Sequence, residues 1–167
     1  MVINRLSAVS ALLIPASLIM MGAMGRDPAS SGHAAFGPLG GGPAADEVPP
    51  FHPAAPPRKG LPATLDPLKF ADAITRNSYA MAGKIKAVLY QQPCYCHCDR
   101  EYGHASLLDC FTGTHAAVCN ICKAEAIYAF NETARKRTAA QIREGIINGE
   151  SQKIDLAKYR EYKPPSD

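Results

Sequence analysis

Tryptophan is absent from this 167-residue chain, aromatic residues make up only 7% of it, and no block of five or more basic residues occurs. The 18 Lys and Arg stand against 15 Asp and Glu, a formal net charge of +3. That balance lacks the basic footprint of a nucleic-acid binder, so no nucleic-acid partner is expected. Also missing are a Ser/His/Asp arrangement, paired carboxylates and a glycine loop able to cradle phosphate. No turnover chemistry and no organic cofactor are therefore predicted. No segment alternates β-branched and polar residues as a strand would. Beyond residue 24 the only methionine is Met81, which argues against a methionine-type copper carrier.

What is present falls into segments. Residues 1–25 read as an export signal or N-terminal anchor: Arg5 supplies positive charge, Leu6 to Ala23 are mostly apolar, and the small residues Gly22, Ala23 and Gly25 follow. No Cys lies near the end of the apolar run and no Arg pair precedes it, so neither a lipid-modified Cys nor a twin-arginine signal is expected. The chain is thus expected to be periplasmic or extracellular, and membrane-anchored if the apolar segment, close to spanning length, is left uncleaved. Residues 26–65 follow as a linker. Its first 39 residues contain nine Pro and six Gly, too little apolar surface to offset the entropy of ordering. His33 and His52 lie in it and are expected in solvent.

From residue 66 to 160 the pattern is helical. Asp66-Pro67 is a helix start, with a capping acid followed by Pro at the first turn. Phe70, Ile74, Met81, Ile85 and Val88 recur on one helical face up to Pro93. A short helix is predicted over 105–111, ending at Gly113, and a long one from Thr114 or His115 to Lys136, with Ala117, Ile121, Ala124, Ile127 and Tyr128 as core positions. Thr138-Ala139-Ala140-Gln141 fits a capping box that opens a helix closing at Gly149. The fold class is therefore all-α: a domain of three to four helices with a Cys-rich loop, then a tail over 161–167. At about 95 residues such a core gains from a metal or disulfide staple.

All six cysteines lie between Cys94 and Cys122. Cys94, Cys96 and Cys98 alternate with Tyr95 and His97; an extended chain would point the three thiols one way, and a curled one could converge two or three on one ion. Cys119 and Cys122 share a helical face with His115 one turn earlier, a three-pronged set. Cys110 precedes that helix, and His104 lies six residues before it. Thiolate and imidazole donors select Zn²⁺ or Cu(I) over oxygen-loving ions. The candidate metal ligands are accordingly Cys94, Cys96, Cys98, Cys110, Cys119, Cys122 and His115, with His97 and His104 in support. Nine donors suffice for one four-coordinate site with surplus or for two ions with bridging thiolates. Beyond the ion, the expected partners are a membrane or periplasmic protein of metal or redox handling.

Other uses of the same residues stay open. An even Cys count in a small exported domain is the usual signature of disulfide staples, here in a structural or interaction domain. The Cys-x-Cys-x-Cys run makes poor local bridges, however, and three His have no part in a staple. Cys119-Asn120-Ile121-Cys122 also reads as a redox dithiol, although no βαβ pattern accompanies it. A haem attachment motif would need His where Lys123 stands. An iron–sulfur cluster fits the Cys count but not export in an unfolded state. Tyr95, Tyr102 and Tyr128 read as packing residues, and Asp99, Glu101 and Asp109 as loop solvation with second-sphere contacts to His as the alternative.

The run Pro93-Cys94-Tyr95-Cys96-His97-Cys98 resembles the motif of the bacterial PCYCGC, or CYCXC, family of exported proteins. The similarity extends through Gly103-His104, Cys110, the His115 region, Cys119–Cys122 and the helix over 142–149. His97 departs from it, standing where the name-giving pattern has Gly. Some members of that family are similar to selenoproteins, which implies a reactive or metal-bound chalcogen without assigning it to one position.

Overall fold

The computed structural model describes residues 48–57 and 60–163. The signal or anchor over 1–25, most of the linker with His33, and the last residues of the tail lie outside the described residues. Among those described, every regular element is helical, which establishes the all-α class. In chain order the α-helices are α1 (Ala73–Lys84), α2 (Lys86–Leu89), α3 (Asp99–Tyr102), α4 (Asp109–Thr112), α5 (His115–Val118), α6 (Asn120–Ala134) and α7 (Ala139–Ile147). Short 3-10 turns cover Pro67–Lys69, Glu150–Lys153 and Leu156–Tyr159. No described helix is long and apolar enough to cross a membrane.

The helix expected to run from Asp66 to Pro93 is in three pieces. Asp66 does cap, accepting from the Leu68 N–H at 2.9 Å, but only for the 3-10 turn Pro67–Lys69. Asp72 restarts the chain: its carboxylate accepts from both the N–H and the hydroxyl of Thr75, each at 2.8 Å, and opens α1. A second break falls at Ile85, whose φ of −121° and ψ of 29° leave helical geometry. Met81 and Ile85 are buried as expected, whereas Phe70, Ile74 and Val88 are half-buried. Tyr79 is the larger contributor to the core; its ring meets Phe70 and Phe111, and its hydroxyl donates to the Gly113 carbonyl at 2.7 Å.

The helix expected from Thr114 to Lys136 is likewise broken, at Cys119, whose φ of −106° and ψ of 111° are extended. Beyond the break, α6 is the central helix, packed by α1, α2, α5, α7 and the turn Glu150–Lys153. Burial of Cys122, Lys123, Glu125, Ala126, Ile127, Tyr128, Ala129 and Glu132 takes in nearly its whole circumference. A helix buried all round carries no single apolar stripe. Ile121, expected in the core, lies in the first turn of α6, is 47% exposed and lines an open cavity of about 370 Å³ instead.

The C-terminal part follows its local signals closely. Thr138 and Gln141 make both bonds of the capping box, and Gly149 ends the helical stretch in the left-handed conformation at φ 75°. Gly145 in α7 sits against Tyr128: a Cβ there would overlap the Tyr128 hydroxyl, which donates to Glu150 Oε2 at 2.6 Å. The short helix predicted over 105–111 forms later, as α4. His52, expected in solvent, stacks on Tyr90 with ring centroids 3.8 Å apart, and Arg143 lies over the Phe51 ring.

Candidate metal centre

The chain enters the centre through Gln92 and Pro93, both fully buried. The Gln92 amide donates to the carbonyls of Val88 and Ala139, and its own carbonyl accepts from the Leu107 N–H at 2.9 Å. These bonds tie the end of α2 to α7 and to the segment before α4. The Cys-rich run then curls: the His97 N–H donates to the Cys94 carbonyl at 3.2 Å, and His97 takes the left-handed conformation with φ 55°. Such a φ is uncommon outside Gly. His97 thus occupies, at a conformational cost, the position where the name-giving motif has Gly. The turn passes into α3, which ends at Gly103 with φ 66°.

Curling turns the sulfurs inward. Cys94 Sγ lies 3.3 Å from Cys96 Sγ and 3.5 Å from Cys122 Sγ, and Cys96 Sγ is 3.5 Å from Cys122 Sγ. Cys96 Sγ is also 3.4 Å from His115 Nε2. On the other side Cys98 Sγ is 3.3 Å from Cys110 Sγ, which is 3.4 Å from His104 Nδ1. Two groups of four side chains bring one donor atom each to within 4.8 Å of all the others and could hold a metal ion. One is Cys94, Cys96, Cys98 and Cys110, and the other is Cys96, Cys110, His115 and Cys122. Four thiolates bound tetrahedrally at about 2.3 Å stand about 3.8 Å apart, whereas a disulfide needs about 2.05 Å. The observed spacings lie nearer the first, and all six cysteines are free thiols.

Cys119, His97 and His104 belong to neither group. The break at Cys119 is the reason for the first. An unbroken helix would line up His115, Cys119 and Cys122, but the extended residue between α5 and α6 delivers His115 and Cys122 to the cluster and leaves Cys119 half-buried at the α6 N-terminus. There the Cys122 side chain and the backbone N–H groups of Cys122 and Ile121 draw its thiol down to about 6. His104 meets the cluster through the Cys110 sulfur and through the His115 ring, whose centroid is 5.3 Å away. Tyr102, 61% exposed, lays its ring against both His104 and His115, with centroids 5.7 and 4.9 Å away.

Buried thiols this close compete for protons. The Cys94 side chain hydrogen-bonds Cys96 and, with His115 adding to it, holds the Cys96 thiol down at about 4; Cys122 and Cys94 hold Cys110 down at about 2. Cys94 and Cys122 are correspondingly raised and keep their protons. Burial would lower His115, but its bond with Cys96 and the nearby thiolates raise it on balance. The cluster therefore sets lowered and raised thiols side by side, next to an imidazole that holds its proton more tightly than usual.

Sequence reasoning missed Glu125. This carboxylate sits in the middle of α6, 1% exposed, and its Oε1 accepts from the Tyr95 N–H at 2.9 Å, fixing the Cys-rich turn to the central helix. Burial pushes the carboxyl up to about 8, against the opposing pull of the Tyr95 N–H and Cys94. Its position three residues after Cys122, on the same helical face, was the available signal. Asp109 accepts from the N–H groups of Ala105 and Ser106 at 2.8 and 3.1 Å, so it holds the loop before α4 rather than orienting a histidine.

An all-α domain whose buried core includes a convergent Cys/His cluster defines the class. The family model described as a protein of unknown function with PCYCGC motif matches residues 56–152, and the chain belongs to that family. No curated protein and no solved structure matches it.

Proposed function

We propose that the protein is exported and holds a thiophilic metal, Cu(I) or Zn²⁺, through its Cys/His cluster, with a role in metal handling rather than turnover. The observation that carries this reading is the convergence of Cys94, Cys96, Cys98, Cys110, Cys122 and His115 within two overlapping four-donor groups. The sulfurs are buried or half-buried, which favours retention of an ion, and the donor set is soft. Export rests on Arg5 and the apolar run that follows. In this reading 26–65 is a linker whose later part packs on the domain through Phe51 and His52, 66–160 is the domain, and 161–167 is a short tail.

A test isolates the protein from the export compartment without reductant and combines intact mass, thiol counting and elemental analysis. Stoichiometric Zn or Cu with metal-blocked thiols supports the proposal. Three disulfides, no metal and resistance to reduction would instead assign the cysteines to staples. A labile disulfide that equilibrates with glutathione would assign them to thiol redox chemistry.

A further inference from the structure

We infer that the cluster takes up two metal ions bridged by the thiolates of Cys96 and Cys110; this deepens the metal-binding reading and rests on it. The two four-donor groups are not separate. They overlap at Cys96 and Cys110, and their union is five thiols and one imidazole. Two four-coordinate ions that share two ligands need six donors, which is the number the fold gathers. The chemistry of each position also fits. Both shared donors are sulfurs, whose several lone pairs can bridge two ions, while the single imidazole, which binds one ion through Nε2, falls at an unshared position. Cys94 and Cys98 would be the terminal ligands of one ion, and His115 and Cys122 those of the other.

A single ion is the competing arrangement. Cys94, Cys96, Cys110 and Cys122 also lie within 4.8 Å of one another, because Cys94 is 3.5 Å from Cys122 and the remaining pairs fall inside the two groups. One ion there would leave Cys98 and His115 packed against bound thiolates with nothing to coordinate. Charge favours the pair of ions. One Zn²⁺ in four thiolates leaves two uncompensated negative charges in a core where Cys110 and Cys122 are wholly buried, a costly state. Two Zn²⁺ neutralise four of five thiolate charges. His104 Nδ1, within reach of the bridging Cys110 sulfur, can disperse more by donating an N–H to it.

The experiment uses the full chain, reduced and handled without oxygen. Elemental analysis and native mass follow titration with Zn²⁺ and, separately, with buffered Cu(I); ¹¹³Cd²⁺ then replaces Zn²⁺ for NMR. Two ions per chain and two ¹¹³Cd signals that split one another are expected, since scalar coupling between the metals requires a shared ligand atom. His115→Ala, a half-buried site whose fold circular dichroism can check, should release one of the two ions and keep the other, collapsing the spectrum to one unsplit signal. A single tightly held ion, unaffected in number by His115→Ala, would overturn the bridged pair and leave the metal-binding reading standing. Two ions without mutual splitting would also overturn it. Failure to bind any of the three metals would remove both.

Discussion

Cys94 and Cys122, 28 positions apart in the chain, bring their sulfurs to within 3.5 Å and so join the Cys-rich turn to the central helix. Neither residue is placed there by local structure alone. Cys94 follows the anchored Gln92-Pro93 pair, and Cys122 is presented by the first turn of α6, which exists because the chain breaks at Cys119. The cluster is thus a tertiary product, and each part that builds it carries a consequence.

His115 is the one nitrogen donor in the four-residue groups. His115→Ala should weaken retention of metal by about 100-fold or more, beyond the loss usual for an outer-sphere partner, as read by competition with a chromophoric chelator. A variant that holds metal as tightly as the parent would place His115 outside the ligand set.

His97 occupies a left-handed position at φ 55° but neither four-donor group. His97→Gly should retain metal fully and leave stability unchanged or raised, because the relief of strain offsets the added chain entropy. His97→Val should lower stability, as measured by chemical denaturation, because a β-branched residue tolerates this conformation less well than His does. Loss of metal in the Gly variant would make the imidazole a ligand after all.

Glu125 holds the Tyr95 N–H at 2.9 Å. Glu125→Ala removes that acceptor from a half-buried donor and should cost about 1 kcal/mol, with weaker metal retention because the turn bearing Cys94, Cys96 and Cys98 loosens. Glu125→Gln keeps an oxygen in place and should behave much more like the parent. Equal behaviour of the two variants in melting and metal competition would contradict this role.

Gly145→Ala places a methyl group into the Tyr128 hydroxyl. Because Tyr128 is buried and engaged with Glu150, the overlap is not easily relieved, and the expected loss is about 1–3 kcal/mol. Thermal unfolding of the variant checks it; an unchanged midpoint would mean that α7 shifts freely on α6.

Asp72 is held below its ordinary 3.8 chiefly by the Thr75 N–H, with the Thr75 hydroxyl adding to it. A carboxyl depressed in the folded state contributes stability that is present above its unfolded pKa and is lost as pH falls through the folded value. Asp72→Ala should therefore cost about 1 kcal/mol near neutral pH, and the gap to the parent should narrow as pH drops below 3.8. Urea unfolding at both ends of that range measures the difference; a gap that widens in acid would reverse the assignment.

Local signals in the sequence proved as good as their chemistry. The capping box at Thr138 and Gln141, the Asp66-Pro67 start and the left-handed Gly149 were each legible because they involve neighbours in the chain. The all-α class and the gathering of thiols were legible too, the latter from Cys spacing. What escaped was set by packing. Residues 115–122 carry a continuous helical pattern, so the extended Cys119 between His115 and Cys122 had no local signal. α6 has no readable apolar face because it is enclosed on nearly all sides, so its pattern did not separate the exposed Ile121 from the buried Glu125. Asp72 was passed over because the stronger Asp66-Pro67 signal lies six residues earlier, yet caps only a single 3-10 turn.

Metal binding by the sulfur atoms of this cluster is open to a direct spectroscopic test. X-ray absorption at the Zn or Cu edge of the protein purified from its native source without added metal provides it. The expected first shell is dominated by sulfur, at about 2.3 Å if the ion is Zn²⁺. A shell of oxygen and nitrogen alone, or protein that carries no metal and has its cysteines paired as disulfides, would contradict it.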